Sequence, residues 1–167
     1  MLKKIKHYTK EVLLFLLAMT ILANGISLYK SQELNKQPLT LKHIKLIDNT
    51  LYTIEPNKPV LIHFWATWCP TCKLEADNIQ RLSKHFQVLT IAVKSGTDYE
   101  IHNYLKERGL SFKVVNDKTG SYAQHFHINA FPTTFIYDKN HQLLFSEVGY
   151  TSTPGLYLRM WWASLRQ

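Results

Sequence analysis

The chain has 167 residues, 46% apolar and 19% charged, enough for one domain with its own core plus a terminal appendage, and too apolar for a disordered chain. Its net charge of +8 is shared evenly: residues 1–30 carry five Lys against Glu11, and residues 31–167 carry 15 basic against 11 acidic groups. No Lys/Arg cluster beyond residue 30 is interleaved with aromatics, so the charge does not read as a nucleic-acid surface. Only two cysteines occur, in a single Cys-x-x-Cys, which excludes a framework of structural disulfides and reserves the pair for redox chemistry or metal.

Met1 to Lys10 is basic, with Lys3, Lys4, Lys6 and Lys10, and Val12 to Leu28 follows as an apolar run broken at Thr20, Asn24, Gly25 and Ser27. That length suits a helix crossing a bilayer, and the positive flank predicts a cytoplasmic start with the rest of the chain on the outer face. A cleaved leader competes, since Ala23 is small, but no clear small-x-small site follows it; residues 1–29 therefore read as an uncleaved anchor. Residues 30–40, polar and containing Pro38, read as a tether. The domain is expected over residues 41–167.

Val60 to Trp65 is a short apolar run after Pro59, as a strand buried on both faces would be. Leu74, Ile79, Leu82 and Phe86 then recur at near-helical spacing, with Pro70 at the first turn. Gln87–Val93 reads as a strand, and Thr97-Asp98-Tyr99-Glu100 as a capping box opening a helix that runs to Arg108 and stops at Gly109. A short strand at Lys113–Val115 and a short helix at Ser121–Phe126 complete a βαβ alternation, which implies a parallel sheet. Thr133–Asp138 and Gln142–Val148 alternate as a hairpin around Lys139-Asn140-His141, and Thr153 with Pro154 is expected to open the last helix.

Disulfide exchange needs a thiolate, and an ordinary Cys near pKa 8.5 is only a few per cent ionised at neutral pH. Cys69 falls where a strand hands over to a helix, where free N–H groups and the helix dipole favour the anion. Half ionisation at pH 7 requires about 2 kcal/mol. Cys72 lies one turn further on, so Cys69 is expected to attack from the open end and Cys72 to resolve the mixed disulfide. A zinc or copper site is the competing use of Cys-x-x-Cys. A structural zinc site wants four ligands, and His125, His127 and His141 lie far along the chain, so no metal site is assigned.

Phe64-Trp65-Ala66-Thr67-Trp68-Cys69-Pro70-Thr71-Cys72, followed by Phe131-Pro132-Thr133-Thr134-Phe135, resembles the paired signature of the thioredoxin superfamily. The resemblance implies an α/β thioredoxin-like fold, a central mixed sheet flanked by helices, here preceded by a transmembrane helix. It also implies that Pro132 is a cis-proline facing the dithiol and that Phe131 offers its backbone to a substrate segment, with Trp68, Pro70 and Thr71 shaping the site. The Phe-Trp-Ala-Thr-Trp-Cys run and Glu75 resemble the TlpA/ResA branch, and Lys94-Ser95-Gly96, Val114–Asp117 and the tail from Gly149 to Ala163 look most like its suppressor-of-copper-sensitivity protein D group.

By that resemblance the protein would be an extracytoplasmic thiol-disulfide oxidoreductase on the inner membrane, without a cofactor, reducing client proteins and recharged by a membrane electron donor. Glu75, by resemblance and by helical proximity, is the candidate to exchange a proton with Cys72. Three departures stand out: His63 occupies the position of thioredoxin's buried aspartate, Ala76-Asp77 replaces a common Pro, and the inner dipeptide is Pro-Thr. His63 reads first as a core histidine. A copper- or zinc-handling protein is the alternative function, suggested by the copper-tolerance resemblance and eight His; a peroxidase is disfavoured because no distant resolving Cys exists.

Overall fold

The computed structural model describes residues 2–166, without the side chains of residues 2–7, 23 and 28; the expected basic flank at Lys3, Lys4 and Lys6 and the small residue Ala23 lie outside those described side chains. Helix α1 runs over Leu2–Lys30. The stretch from Tyr8 to Glu33, most of α1 and the turn that follows it, is long and apolar enough to cross a membrane, and the apolar side chains from Val12 to Leu22 face outward all round. The polar interruptions do not break the helix because they bond back along it: Thr20 Oγ1 donates to Leu16 O at 2.7 Å and Asn24 Nδ2 to Thr20 O at 2.7 Å.

Residues 31–40 do not form the free tether their composition predicts. Ser31–Glu33 makes a 3-10 turn, and Leu34 and Leu39 are buried in the domain core. Asn35 N donates to Phe126 O at 3.2 Å and its Nδ2 to His125 O at 3.0 Å, while Leu39 N donates to His141 O at 2.9 Å. Two leucines among the polar residues supply the apolar contact that holds the strap down.

Strands β1 (His43–Lys45) and β2 (Leu51–Thr53) form an antiparallel hairpin that the sequence reading lacks. Its signal was Asp48-Asn49-Thr50: Asp48 Oδ1 accepts from Thr50 N at 3.0 Å, and Asn49 turns the chain at φ 66°. The main sheet contains β3 (Val60–Trp65), β4 (Gln87–Val93), β5 (Lys113–Asp117), β6 (Thr133–Tyr137) and β7 (Leu143–Val148) in the order β5-β4-β3-β6-β7. β3 pairs parallel with β4 and antiparallel with β6, so the sheet is mixed. All six residues of β3 are buried, as a central strand covered on both faces requires.

One face of the sheet carries α2 (Pro70–Ser83), α3 (Asp98–Glu107) and α5 (Thr153–Leu165) over a core that includes Leu61, Ile79, Leu82, Ile101, Leu156 and Met160. The other is covered by α4 (Ser121–His125), the strap and the β1–β2 hairpin around Ile62, Phe64 and Phe135. The Thr97/Glu100 capping box forms as expected. Several boundaries move, among them β5, expected over Lys113–Val115, which runs on to Asp117. Phe86 lies beyond α2, whose last helical residue is Ser83, and packs edge-on to Tyr157 at 5.5 Å. Ser152, not Thr153, caps α5, because the Thr153 hydroxyl is already committed to Asn78 Oδ1 at 2.7 Å.

The edge strand β7 meets the end of α1: Val148 N donates to Ser27 Oγ at 3.0 Å, and Asn129 Nδ2 donates to Glu33 Oε2 at 3.1 Å. The helix therefore ends against the sheet edge and satisfies one of its open N–H groups.

Candidate active site

The site is built at the carboxyl end of β3. After Trp65 the chain turns through Ala66–Cys69, closed by Cys69 N donating to Ala66 O at 3.2 Å, and Thr67 is pinned to the β4 end by its N–H to Ser95 Oγ at 3.1 Å. Cys69 has extended backbone angles and is the N-cap of α2; Cys72 N points at its sulfur, 3.2 Å away. An amide aimed at the sulfur, at the positive end of a 14-residue helix, favours a thiolate there.

The two cysteines form a disulfide with Cα atoms 5.3 Å apart. Cys69, the sulfur expected to attack from the open end, keeps only 5% of its surface and Cys72 2%. The 66–69 turn folds the first sulfur under the loop, leaving Trp68, 58% exposed, and Pro70 as its outward neighbours. Trp68 is itself oriented, donating from Nε1 to Lys94 O at 3.1 Å and standing edge-on to Phe131 at 5.6 Å. That ring contact brings the Phe131 loop to the dithiol loop. The Phe131–Pro132 peptide is cis, Pro132 is buried, and Gly149 N donates to Pro132 O at 2.8 Å. A groove of 740 Å³ opens beside Trp68 and Phe131, with Lys94, His127 and Glu33 on its walls.

Glu75 sits three residues past Cys72, one turn along the same face of α2, and is fully buried. Its Oε1 accepts from Thr151 N at 2.9 Å, while Oε2 has no hydrogen-bond partner among the described residues. Burial pushes its pKa up to about 8, assisted by the nearby Glu147 and opposed by the Thr151 hydrogen bond. His63 lies on β3 facing the same side, with Nδ1 2.9 Å from Thr134 Oγ1. Burial lowers its pKa to about 3, so it stays neutral across the range in which thiols exchange.

A model of the AhpC/TSA family matches residues 36–146. The chain belongs to that family. A thioredoxin-like protein from Haemophilus influenzae is 31% identical over 96% of this chain and 97% of its own length. Thiol-disulfide oxidoreductase ResA from Bacillus subtilis is 35% identical over 47% of the chain and 46% of that protein, and thiol:disulfide interchange protein DsbE from Haemophilus influenzae 32% identical over 61% and 59%. Among solved structures, StoA from Bacillus subtilis superposes with a TM-score of 0.63 at 22% identity, covering 73% of this chain and 96% of that one. A secreted thiol-disulfide isomerase from Corynebacterium glutamicum gives 0.70 at 17%, covering 78% and 86%. The fold is thioredoxin-like, and relatives of this AhpC/TSA family member are thiol-disulfide oxidoreductases.

Sequence reasoning missed the residues that lock Glu75 in place in this family member. Asn78, one further turn along α2, donates from Nδ2 to Thr151 O at 3.0 Å and to the Tyr150 hydroxyl at 3.1 Å. Glu75 and Asn78 thus clasp the 150–153 segment, and the available signal was two polar residues on a buried helix stripe with Ile79 and Leu82. Among the described residues no group of three or more His, Cys, Asp or Glu is arranged to hold a metal. His125 packs edge-on to Phe126 at 5.3 Å, and His141 sits in the β6–β7 turn at φ 60°.

Proposed function

We propose that the protein is a disulfide reductase of client proteins, held at the inner membrane by α1 with its dithiol on the extracytoplasmic side and recharged by a membrane electron donor. The observation that carries the reading is the Cys69–Cys72 disulfide at the N-terminus of α2 with an elevated-pKa carboxyl one turn behind it. In the reduced protein the Cys69 thiolate attacks a client disulfide: a Cys69–client S–S bond forms, the client S–S bond breaks, and the released sulfur takes up a proton. Cys72, deprotonated, then attacks Cys69 Sγ; the internal disulfide forms and the second client sulfur leaves with the electron pair. Two electrons pass to the client, and the donor returns them.

Glu75 fits the proton step by its pKa. A carboxyl near 8 differs from a thiol at 8.5 by under about 1 kcal/mol, whereas a carboxylate at its ordinary value would make the transfer uphill by about 5 kcal/mol. Trp68, Pro70, Thr71 and the Phe131–Pro132 loop would form the surface met by the client, and the groove beside them gives an extended segment a place to lie. The test is insulin-disulfide reduction by Cys69→Ser. Loss of turnover is expected, and an unchanged rate would remove the proposal. A redox potential near −120 mV rather than toward −270 mV would reverse the direction of electron flow.

A further inference from the structure

Glu75 is not held by its own helix. Among the described residues its carboxyl group has one hydrogen-bond partner, the Thr151 amide, and the Thr151 hydroxyl donates to Glu147 Oε2 at 2.8 Å. Glu147 lies on β7, 72 residues along the chain, and its other oxygen Oε1 is ion-paired with Arg159 Nη2 on α5. Arg159 is in turn fixed by Nη1 donating to Gly155 O at 3.0 Å and lies over the Phe145 ring, 6.0 Å from its centroid. Three elements thus converge on the 147–151 corner that presents one N–H to the carboxyl beside the dithiol.

Both members of the pair are three-quarters covered or more, at 25% and 19% side-chain exposure, so their charges are felt more strongly than a surface pair's would be. The other titratable groups around Glu75 are few. From β3 comes His63, neutral; from the 150–153 segment, the Tyr150 phenol held by Asn78; on α2 itself, the dithiol and the outward-facing Lys73 and Asp77. Glu147 and Arg159 are the charges behind the Thr151 hydrogen bond.

We infer that Arg159 and Glu147 are positioning residues for the exchange reaction, acting through Thr151 to set the pH at which Glu75 trades its proton with Cys72. The inference rests on Glu75 being that proton exchanger. Neutralising Glu147 removes a negative charge that opposes ionisation of Glu75, while its carboxamide oxygen still accepts from Thr151. Neutralising Arg159 leaves that negative charge uncompensated. The two substitutions therefore move Glu75 in opposite directions, which a merely structural pair would not do.

The experiment is the pH profile of exchange with a small aromatic disulfide, using the full chain in detergent micelles. In the native protein an inflection near pH 8 is expected, and Glu75→Gln should abolish it. Glu147→Gln should move it down by about half a unit to one unit, Arg159→Gln up by a similar amount, and Arg159→Lys should restore the native profile. If Glu75→Gln removes the inflection but Glu147→Gln does not lower it or a folded Arg159→Gln does not raise it, the positioning role is lost and Glu75 stands. An inflection that survives Glu75→Gln overturns both. Should Arg159→Gln not fold, the nearly isosteric Glu147→Gln decides alone: a downward move supports the role, and no move or an upward one refutes it.

Discussion

Replacing Glu75 by Gln should stabilise the protein, and by an amount that grows with pH. The unfolded chain releases the Glu75 proton near 4.5 and the folded chain near 8. Below pH 4.5 the group is protonated in both states and leaves stability untouched. Between the two values the unfolded state has ionised and the folded state has not, so the fold is progressively disfavoured; above 8 the loss is constant. The cost works out at about 1 kcal/mol at pH 5, about 3 at pH 7 and just under about 5 at pH 9. Gln keeps an acceptor for the Thr151 N–H and has no proton to lose, so everything but this term cancels between the two proteins. Urea unfolding of both oxidised proteins, followed by tryptophan fluorescence at pH 5, 7 and 9, should show the Gln variant's relative stability rising by about 4 kcal/mol across the range. A difference that stays flat with pH would mean that Glu75 is ionised in the fold, and the proton-exchange argument would go with it.

His63 should act on the acid side with the opposite sign. Its folded pKa near 3 lies below the unfolded 6.5, so the stability it supports is present above pH 6.5 and declines as pH falls toward 3; His63→Asn should flatten that acid limb by about 3 kcal/mol at pH 4 in the same unfolding assay. Cys72→Ser should accumulate mixed disulfides through Cys69 when client disulfides are offered, visible as reducible adducts on gels, while the Cys69→Ser, Cys72→Ser double variant shows none. Leu39→Ala removes a core side chain from the strap and should cost about 2–3 kcal/mol and speed proteolytic cutting within residues 31–40. Equal cutting rates would mean the strap is not held by that leucine.

The parts of the fold that local pattern controls were legible from residues alone. Val60–Trp65 reads as a buried strand because all six positions are apolar or aromatic but His63, and Thr97 with Glu100 specify a helix start within four residues. The Cys-x-x-Cys needs only the strand-to-helix handover to reveal its chemistry. What sequence hid depends on pairs far apart in the chain: Glu75 with Thr151, Asn78 with Thr153, Glu147 with Arg159, and Leu34 and Leu39 with the sheet core. The N-cap of α5 shows the same cause on a small scale. Ser152 and Thr153 are both N-cap residues with Ser modestly preferred, and the distant Asn78 side chain, by taking the Thr153 hydroxyl, reinforces that choice in a way no local pattern shows.

The fastening of residues 31–40 changes what the protein can reach. A free ten-residue leash would let the dithiol roam a shell of about 33–36 Å around the end of α1. With Ser27 on Val148, Glu33 on Asn129 and Asn35 on His125 and Phe126, the leash becomes a bracket, and the face bearing Trp68 and Phe131 turns only as the helix turns. A protein bound this way does not search outward for its partners. With α1 spanning the membrane as proposed, it would wait at one height and one heading, and selection between client proteins would begin with whether their disulfide can be delivered to that spot, before any side chain of the groove is touched.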